Sequence, residues 1–428
     1  MRGKIQHKSF YNWAGCTIGG SNHEAAKIAR ESLQPFVGPS TSSVLGYQGC
    51  VKSDAQHAAL FNGIASHVHD FDDTHLKTII HPSGPVCSAL LAYAEWKRPV
   101  SGRDFIVALV AGIEVECKVG LAVWPNHYDI GWHITGTTGS IGAAAAVGKL
   151  MGLDVPAMQH AIGIAATQVV GLRDMFGSHT KSFHPGRAAQ CGLLSAILAS
   201  NGYTSSMQAL ESKRGWANVV STSNDLSDQV NSLGKTWEIS ENAFKPFPCG
   251  IVCHPIIDGC IQLHRELKNA GIDVSEVEDI QAKVHPLVLE LTGKRQPQDG
   301  LQGKFSVYHS GAVGLVYAKA GVAQYADSAV KDALVVNIRD KMQATADSNL
   351  RADEAILTVT VKGGRQFEKH IHHAVGSLEV PMTNEQLEEK FKDQAMLVLG
   401  DAKVVDRASV ACWNLESAQD VAEIASVL

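Results

Sequence analysis

Between Asn22 and Glu241, apolar residues recur mostly three and four positions apart, the spacing of helices that bury one stripe. The pattern predicts helices over Glu24–Arg30, Ala55–Ile64, Ser101–Val123, Gly139–Met151, Pro156–Val169 and Arg187–Asn201, with Ser21 or Asn22 placed to cap the first. These stretches are rich in Ala and Gly, and small side chains let helix axes approach closely, as a helical core with many neighbours requires. The longest apolar run, Phe105–Val123, carries Glu114, Glu116 and Lys118 at its centre. Charges are costly in lipid, so the run reads as a buried helix rather than a membrane span.

The pattern changes after Phe244. Pro246, Pro248 and Pro255 interrupt the helical spacing, and Asp279–Val284 and Ile356–Val361 alternate apolar with polar residues, as half-buried strands do. Lys362-Gly363-Gly364-Arg365 is a turn signal that joins the second strand to Gln366–Ile371 as a hairpin. Gly311–Gly321 reads as a helix between them. Helical spacing returns from Asn384, with Thr383 as its cap and Glu385 near its start. The expected fold is mainly α with an α+β part. It divides into a helical domain over residues 1–241, an α+β domain over 242–373, and C-terminal helices over 374–428 that return to the first domain.

Composition narrows the class. Hydrophobic residues are 45% of the 428 and charged residues only 19%, which excludes a disordered chain. A net charge of −6 excludes the basic excess of a general nucleic-acid or anionic-membrane binder. The nine Cys are scattered, which predicts reduced thiols in an intracellular compartment. The first twenty residues lack the apolar centre of a signal peptide.

Four segments carry candidate chemistry. The first holds Asp70, Asp72 and Asp73 among His67, His69 and His75, and leads to His81-Pro82-Ser83-Gly84. Imidazoles can move protons and carboxylates can orient them, which favours an active site. A metal site and a loop whose Asp residues cap the next helix are the alternatives. The second, Gly131 to Ser140, reads as a Gly-rich turn opening a helix and offering backbone N–H groups to an anion. It fits neither a Walker loop nor a dinucleotide fingerprint, and His133 within it is a general-base candidate or a structural His. The third groups Lys181, His184 and Arg187 at a helix start, where the dipole disfavours cations, so an anion between them or a solvated loop is expected. In the fourth, Lys245 stands among Phe244, Pro246 and Phe247, aimed into a cleft or snorkelling to solvent. Cys249, Cys253 and His254 follow, without the second close pair that a structural zinc needs.

These segments, taken with others, resemble the MmgE/PrpD family, which includes 2-methylcitrate dehydratases, cis-aconitate decarboxylases and iminodisuccinate epimerases. The resemblance rests on Asn62-Gly63, Asp70-Phe71-Asp72-Asp73-Thr74, His81-Pro82-Ser83-Gly84, Gly131-Trp132-His133 and Gly136-Thr137-Thr138-Gly139. Lys181 with Arg187-Ala188-Ala189, Lys245-Pro246-Phe247-Pro248-Cys249, Lys304-Phe305-Ser306-Val307 and Pro381-Met382-Thr383 to Lys390-Phe391 extend it over nearly the whole chain, in order. It implies a large helical domain with a smaller α+β lid domain, in a homodimer, and another helix or so ahead of Phe10–Gly20.

The resemblance also implies a site. Asp70, Thr74, His81, His133, Lys181 and Lys245 match the decarboxylase branch, and His309, after Tyr308, stands where members often have Tyr. His133 is expected to move the proton, with His81 second and Asp70 and Thr74 orienting substrate or water. Lys181, Lys245, Arg187, His309 and Tyr308 are expected to hold substrate, because buried carboxylates need cations. The implied function is a cofactor-independent lyase of a di- or tricarboxylate, 2-methylcitrate dehydratase-like. Cis-aconitate decarboxylation, epimerisation in the same scaffold and a non-catalytic binding role are the alternatives. No metal, nucleic acid or membrane partner is expected. The compartment is expected to be the cytoplasm, with the mitochondrion left open because the chain starts late.

Overall fold

The computed structural model describes residues 4–47 and 51–428, and among them it is divided into two compact units. The first comprises Met1–Val68, Asp72–Ala243 and Thr383–Leu428, and the second His69–Phe71 with Phe244–Met382.

The first unit is helical. Its helices are α1 (Ile5–Gly20), α2 (Glu24–Leu33), α3 (Ala55–His67), α4 (Ser83–Trp96), α5 (Gly102–Val123), α6 (Asn126–Ile130), α7 (Ile134–Met151), α8 (Val155–Ala166) and α9 (Thr180–Ser200), and Asn384–Leu399 and Ala402–Trp413 join them from the C-terminus. α7 packs against α5, α8 and α9, and α3 packs against α4 and α9. The small residues set these distances. A Cβ at Gly63 would sit 2.5 Å from the Gly186 Cα, so α3 and α9 cross with their backbones nearly touching. The C-terminal helices seal α1: Tyr11 stacks on Trp413 at 4.2 Å and bonds Ser409, and Lys390 donates to Asn12.

Several element boundaries differ from those the pattern predicted. His23, rather than Ser21 or Asn22, caps α2, through a bond from the Ala25 N–H. α7 begins at Ile134 rather than Gly139, so the Gly-rich segment is mostly helix. Its glycines are packing positions, since a Cβ at Gly136 would meet the Val170 carbonyl at 2.5 Å. α9 begins at Thr180 rather than Arg187 and runs through Pro185. A proline there removes the N–H that would have bonded the Lys181 carbonyl and sets its ring against that carbonyl, a cost confined to the helix's second turn.

Inside α5 the three charges find different solutions. Lys118 pairs with Glu238 at 3.3 Å and the Glu114 carboxylate accepts the Ile239 N–H. Glu116 is fully buried, its carboxyl oxygens have no hydrogen-bond partner among the described residues, and burial pushes its pKa well up. Among the described residues no helix is long and apolar enough to cross a membrane. The eight described cysteines are buried, and Cys50 lies outside the described residues.

The second unit holds a four-stranded sheet in the order Met342–Ala346, Val277–Val284, Ala355–Val361, Gln366–Ile371. The first two strands are parallel and the other pairings antiparallel, so the hairpin forms over the predicted turn. The strand Val277–Val284 alternates buried with more exposed positions, and Ile280, Ala282 and Val284 face a core that includes Ile256, Leu263 and Val313. Those partners come from helices His254–Asn269 and Val307–Tyr317. The latter starts four residues before the predicted Gly311 and ends where Ala318 turns left-handed, at φ 51°.

Candidate active site

The first unit gathers its imidazoles where α3 ends and α4, α7 and α9 begin. α3 is buried on nearly every face and closes on His67, which puts that ring inside the protein. His67 Nδ1 lies 2.7 Å from Asp72 Oδ2. A carboxylate only accepts, so the Nδ1–H donates to it and the ring's second nitrogen, Nε2, is left over. That Nε2 is buried with no hydrogen-bond partner among the described residues.

His81 is fixed in the same way. Its Nδ1 lies 2.7 Å from the Asp73 carbonyl and 3.3 Å from Thr74 Oγ1, and its backbone N–H donates to Thr135. The carbonyl selects the Nδ1–H tautomer. His67 and His81 stand with ring centres 4.8 Å apart, and His67 and His133 5.9 Å apart.

His133 precedes the first residue of α7 and is tied down by its N–H to the Gly171 carbonyl. Its Nδ1 lies 2.9 Å from His184 Nδ1 on α9, so one ring donates and the other accepts. Phe176 closes edge-on over His133, and the Lys181 ammonium sits 5.2 Å from the Phe176 ring centre. Burial first, then the Lys181 charge, pushes the His133 pKa well below its ordinary value. Burial and the His67 and Lys181 charges push His184 down to about 4. His184 is therefore neutral near pH 7 and is not one of the cations that its placement with Lys181 and Arg187 suggested. Arg187 itself donates to Gln190 on its own helix.

The three neighbouring carboxylates do three different jobs. Asp72 holds His67. Asp73 accepts from Ser83 and Asn242, so it secures the start of α4, and burial pushes its pKa up to about 6. Asp70 belongs to the second unit, where it stands in the left-handed region at φ 53° and pairs with Lys245 at 2.8 Å. Lys245 also donates to the Asp70 and Cys249 carbonyls, and Lys304 to the His69 carbonyl. His75, the last imidazole of the segment, bonds Thr78 and Glu238 and is an anchor.

In the second unit His309 is fully buried, bonds the Gln324 carbonyl and faces Tyr325, while Tyr308 lies under Arg295. Their partners, like those of Lys245, come from within that unit. The first unit brings His67, Thr74, His81, His133 and Lys181 into one neighbourhood. His67 and Asp72 lie in the segment the sequence singles out, but neither stands out as a site residue there. The usable signal is an apolar helix that ends on His, with Asp five residues on.

His67, Asp72 and His81 bring metal-ligand atom types together. In this arrangement both Nδ1 atoms face oxygen acceptors, which orients the rings equally well for proton transfer or for metal ligation through Nε2. A buried imidazole cluster next to an ammonium can hold an anion and exchange a proton with it.

The models of the MmgE/PrpD N-terminal and C-terminal domains match residues 4–229 and 247–415. The chain belongs to the MmgE/PrpD family, and it is a lyase. It is 27% identical to the cis-aconitate decarboxylase-like protein oryM of Aspergillus oryzae, over 96% of this chain and 90% of that one. It is 26% identical to the cis-aconitate decarboxylase of Homo sapiens, over 97% of this chain and 87% of that protein. It is 22% identical to the 2-methylcitrate dehydratase of Salmonella typhimurium, over 81% and 74%.

Proposed function

We propose that the protein is a cofactor-independent lyase that decarboxylates a cis-aconitate-like tricarboxylate, with Lys181 holding a substrate carboxylate and His133 handling the proton. The observation that carries this reading is the buried His133–His184 pair beside Lys181. The Lys181 ammonium attracts a carboxylate, and burial strengthens that attraction. When the bond from carbon to the departing carboxylate breaks, carbon dioxide leaves. The electron pair passes into the unsaturated system next to a remaining carboxylate, where a fixed cation stabilises it. A proton added at carbon completes the reaction.

The pair suits that last step. Its pKa values are depressed by burial and by Lys181. A bound polyanion offsets the lysine charge and raises the proton affinity of the imidazoles just when an acid is needed. Dehydration of a 2-methylcitrate-like acid is the second reading. It ranks lower because the dehydratase relative is less similar and aligns over less of the chain. Independence from metal belongs to the same proposal.

The test is to incubate the purified protein with cis-aconitate and with 2-methylcitrate and to follow both by proton NMR with carbon dioxide detection. Consumption of cis-aconitate with stoichiometric carbon dioxide is expected, unchanged by chelator and reduced at least ~10²-fold in Lys181→Met. Loss of water from 2-methylcitrate without carbon dioxide would replace this reading with the dehydratase one. Loss of activity on chelation would refute metal independence.

A further inference from the structure

The second unit carries two exposed imidazoles beside a buried carboxylate that the lyase chemistry does not use. In the edge strand Gln366–Ile371, Ile371 points into the core while His370 and the residue after the strand, His372, point away from it. Side chains two apart share a face, so both imidazoles stand on the outer face of the sheet edge. The register pairs Ala355 with Ile371, which sets Glu354 across from His372. His370 Nε2 lies 2.8 Å and His372 Nδ1 3.8 Å from the same oxygen, Glu354 Oε1, and the two rings are 3.8 Å apart centre to centre.

We propose that His370, His372 and Glu354 form a surface site for one divalent transition cation of the Zn2+ class. Two imidazoles and a carboxylate are a donor set that such ions prefer over Mg2+ or Ca2+. One ligand atom from each already lies within 4.8 Å of the others, so a cation can be reached by side-chain rotation without backbone movement. The sheet holds the donors in register, and the edge position leaves room for water to complete the coordination. Arg351 sits on the other carboxylate oxygen, Glu354 Oε2, at 3.3 Å and keeps the carboxylate turned toward the imidazoles. The neighbouring trio of Asp353, His373 and Glu379 offers a single imidazole, already paired with Asp353 at 2.6 Å. It is the weaker set for this class of ion.

Equilibrium dialysis of the chelator-washed full chain against Zn2+ tests the proposal. The double variant His370→Ala/His372→Ala changes two exposed residues and should fold normally. It is expected to bind one equivalent less than the unaltered protein, or to bind that equivalent at least ~10²-fold more weakly. His373→Ala should bind as the unaltered protein does. Equal Zn2+ binding by the double variant and the unaltered protein would overturn the proposal. So would loss of the same equivalent in His373→Ala alone.

Discussion

Asp73 shows how little a residue's type says about its work. It stands next to Asp72, which orients an imidazole, yet its own carboxyl is fully buried under Ser83 and Asn242 and is pushed up to about 6. The unfolded chain returns it to an ordinary value near 3.8. A group whose folded pKa is the higher one binds its proton more tightly when folded. Its contribution to stability is full below the unfolded value and is lost as pH rises through the folded one. Denaturation of the protein and of Asp73→Asn across pH 4 to 7 should therefore show the unaltered protein losing up to about 3 kcal/mol relative to the variant, mostly between pH 4 and 6. A pH-independent difference would mean that Asp73 is ionised throughout. The sequence marks the segment from His67 to His81 as chemically dense, and the structure brings His67, Thr74 and His81 together there. Which carboxylate serves chemistry and which secures a helix start was not legible. That assignment depends on Ser83 and Asn242, and Asn242 lies far along the chain.

Among the elements, α9 links packing to chemistry. It carries Lys181 and His184 in its first turns and Gly186 directly after Pro185. Gly186 packs against Gly63 so closely that α3, which ends on His67, is held against the turns that carry His184. A methyl at residue 63 must push the two helices apart. Gly63→Ala should cost ~2 kcal/mol or more, as overpacking of a tight core does, and should lower the melting temperature and turnover together. An unchanged melting temperature would show that the crossing is looser than described. The same crossing explains where the sequence misleads. Pro185 and Gly186 read as lying just ahead of a helix, and the first glycines of α7 read as a turn, because pattern alone cannot tell a glycine that turns the chain from one that admits a neighbouring helix. The hairpin of the second unit was legible because its turn signal and its alternation are both local.

Across the whole chain, the helix, mixed, helix order was readable from periodicity, and the family match spans both parts. The three residues His69–Phe71 that belong to the second unit were not readable, since they lie inside a segment otherwise assigned to the first. They are held there by Lys245 and Lys304, which are distant in sequence. The central claim concerns His133, the buried imidazole that stands beside His184 and Lys181 in the first unit. His133→Gln keeps much of the side chain's size and its capacity to hydrogen-bond but cannot titrate. The most direct measurement is turnover of the proposed tricarboxylate in deuterated water by this variant and the unaltered protein, with product deuteration read by NMR and folding checked by melting temperature. The account predicts one solvent deuteron at one carbon in the unaltered reaction, and a loss of ~10²–10⁴-fold in turnover for the variant at a nearly unchanged melting temperature. Near-normal turnover and deuteration by His133→Gln would contradict it.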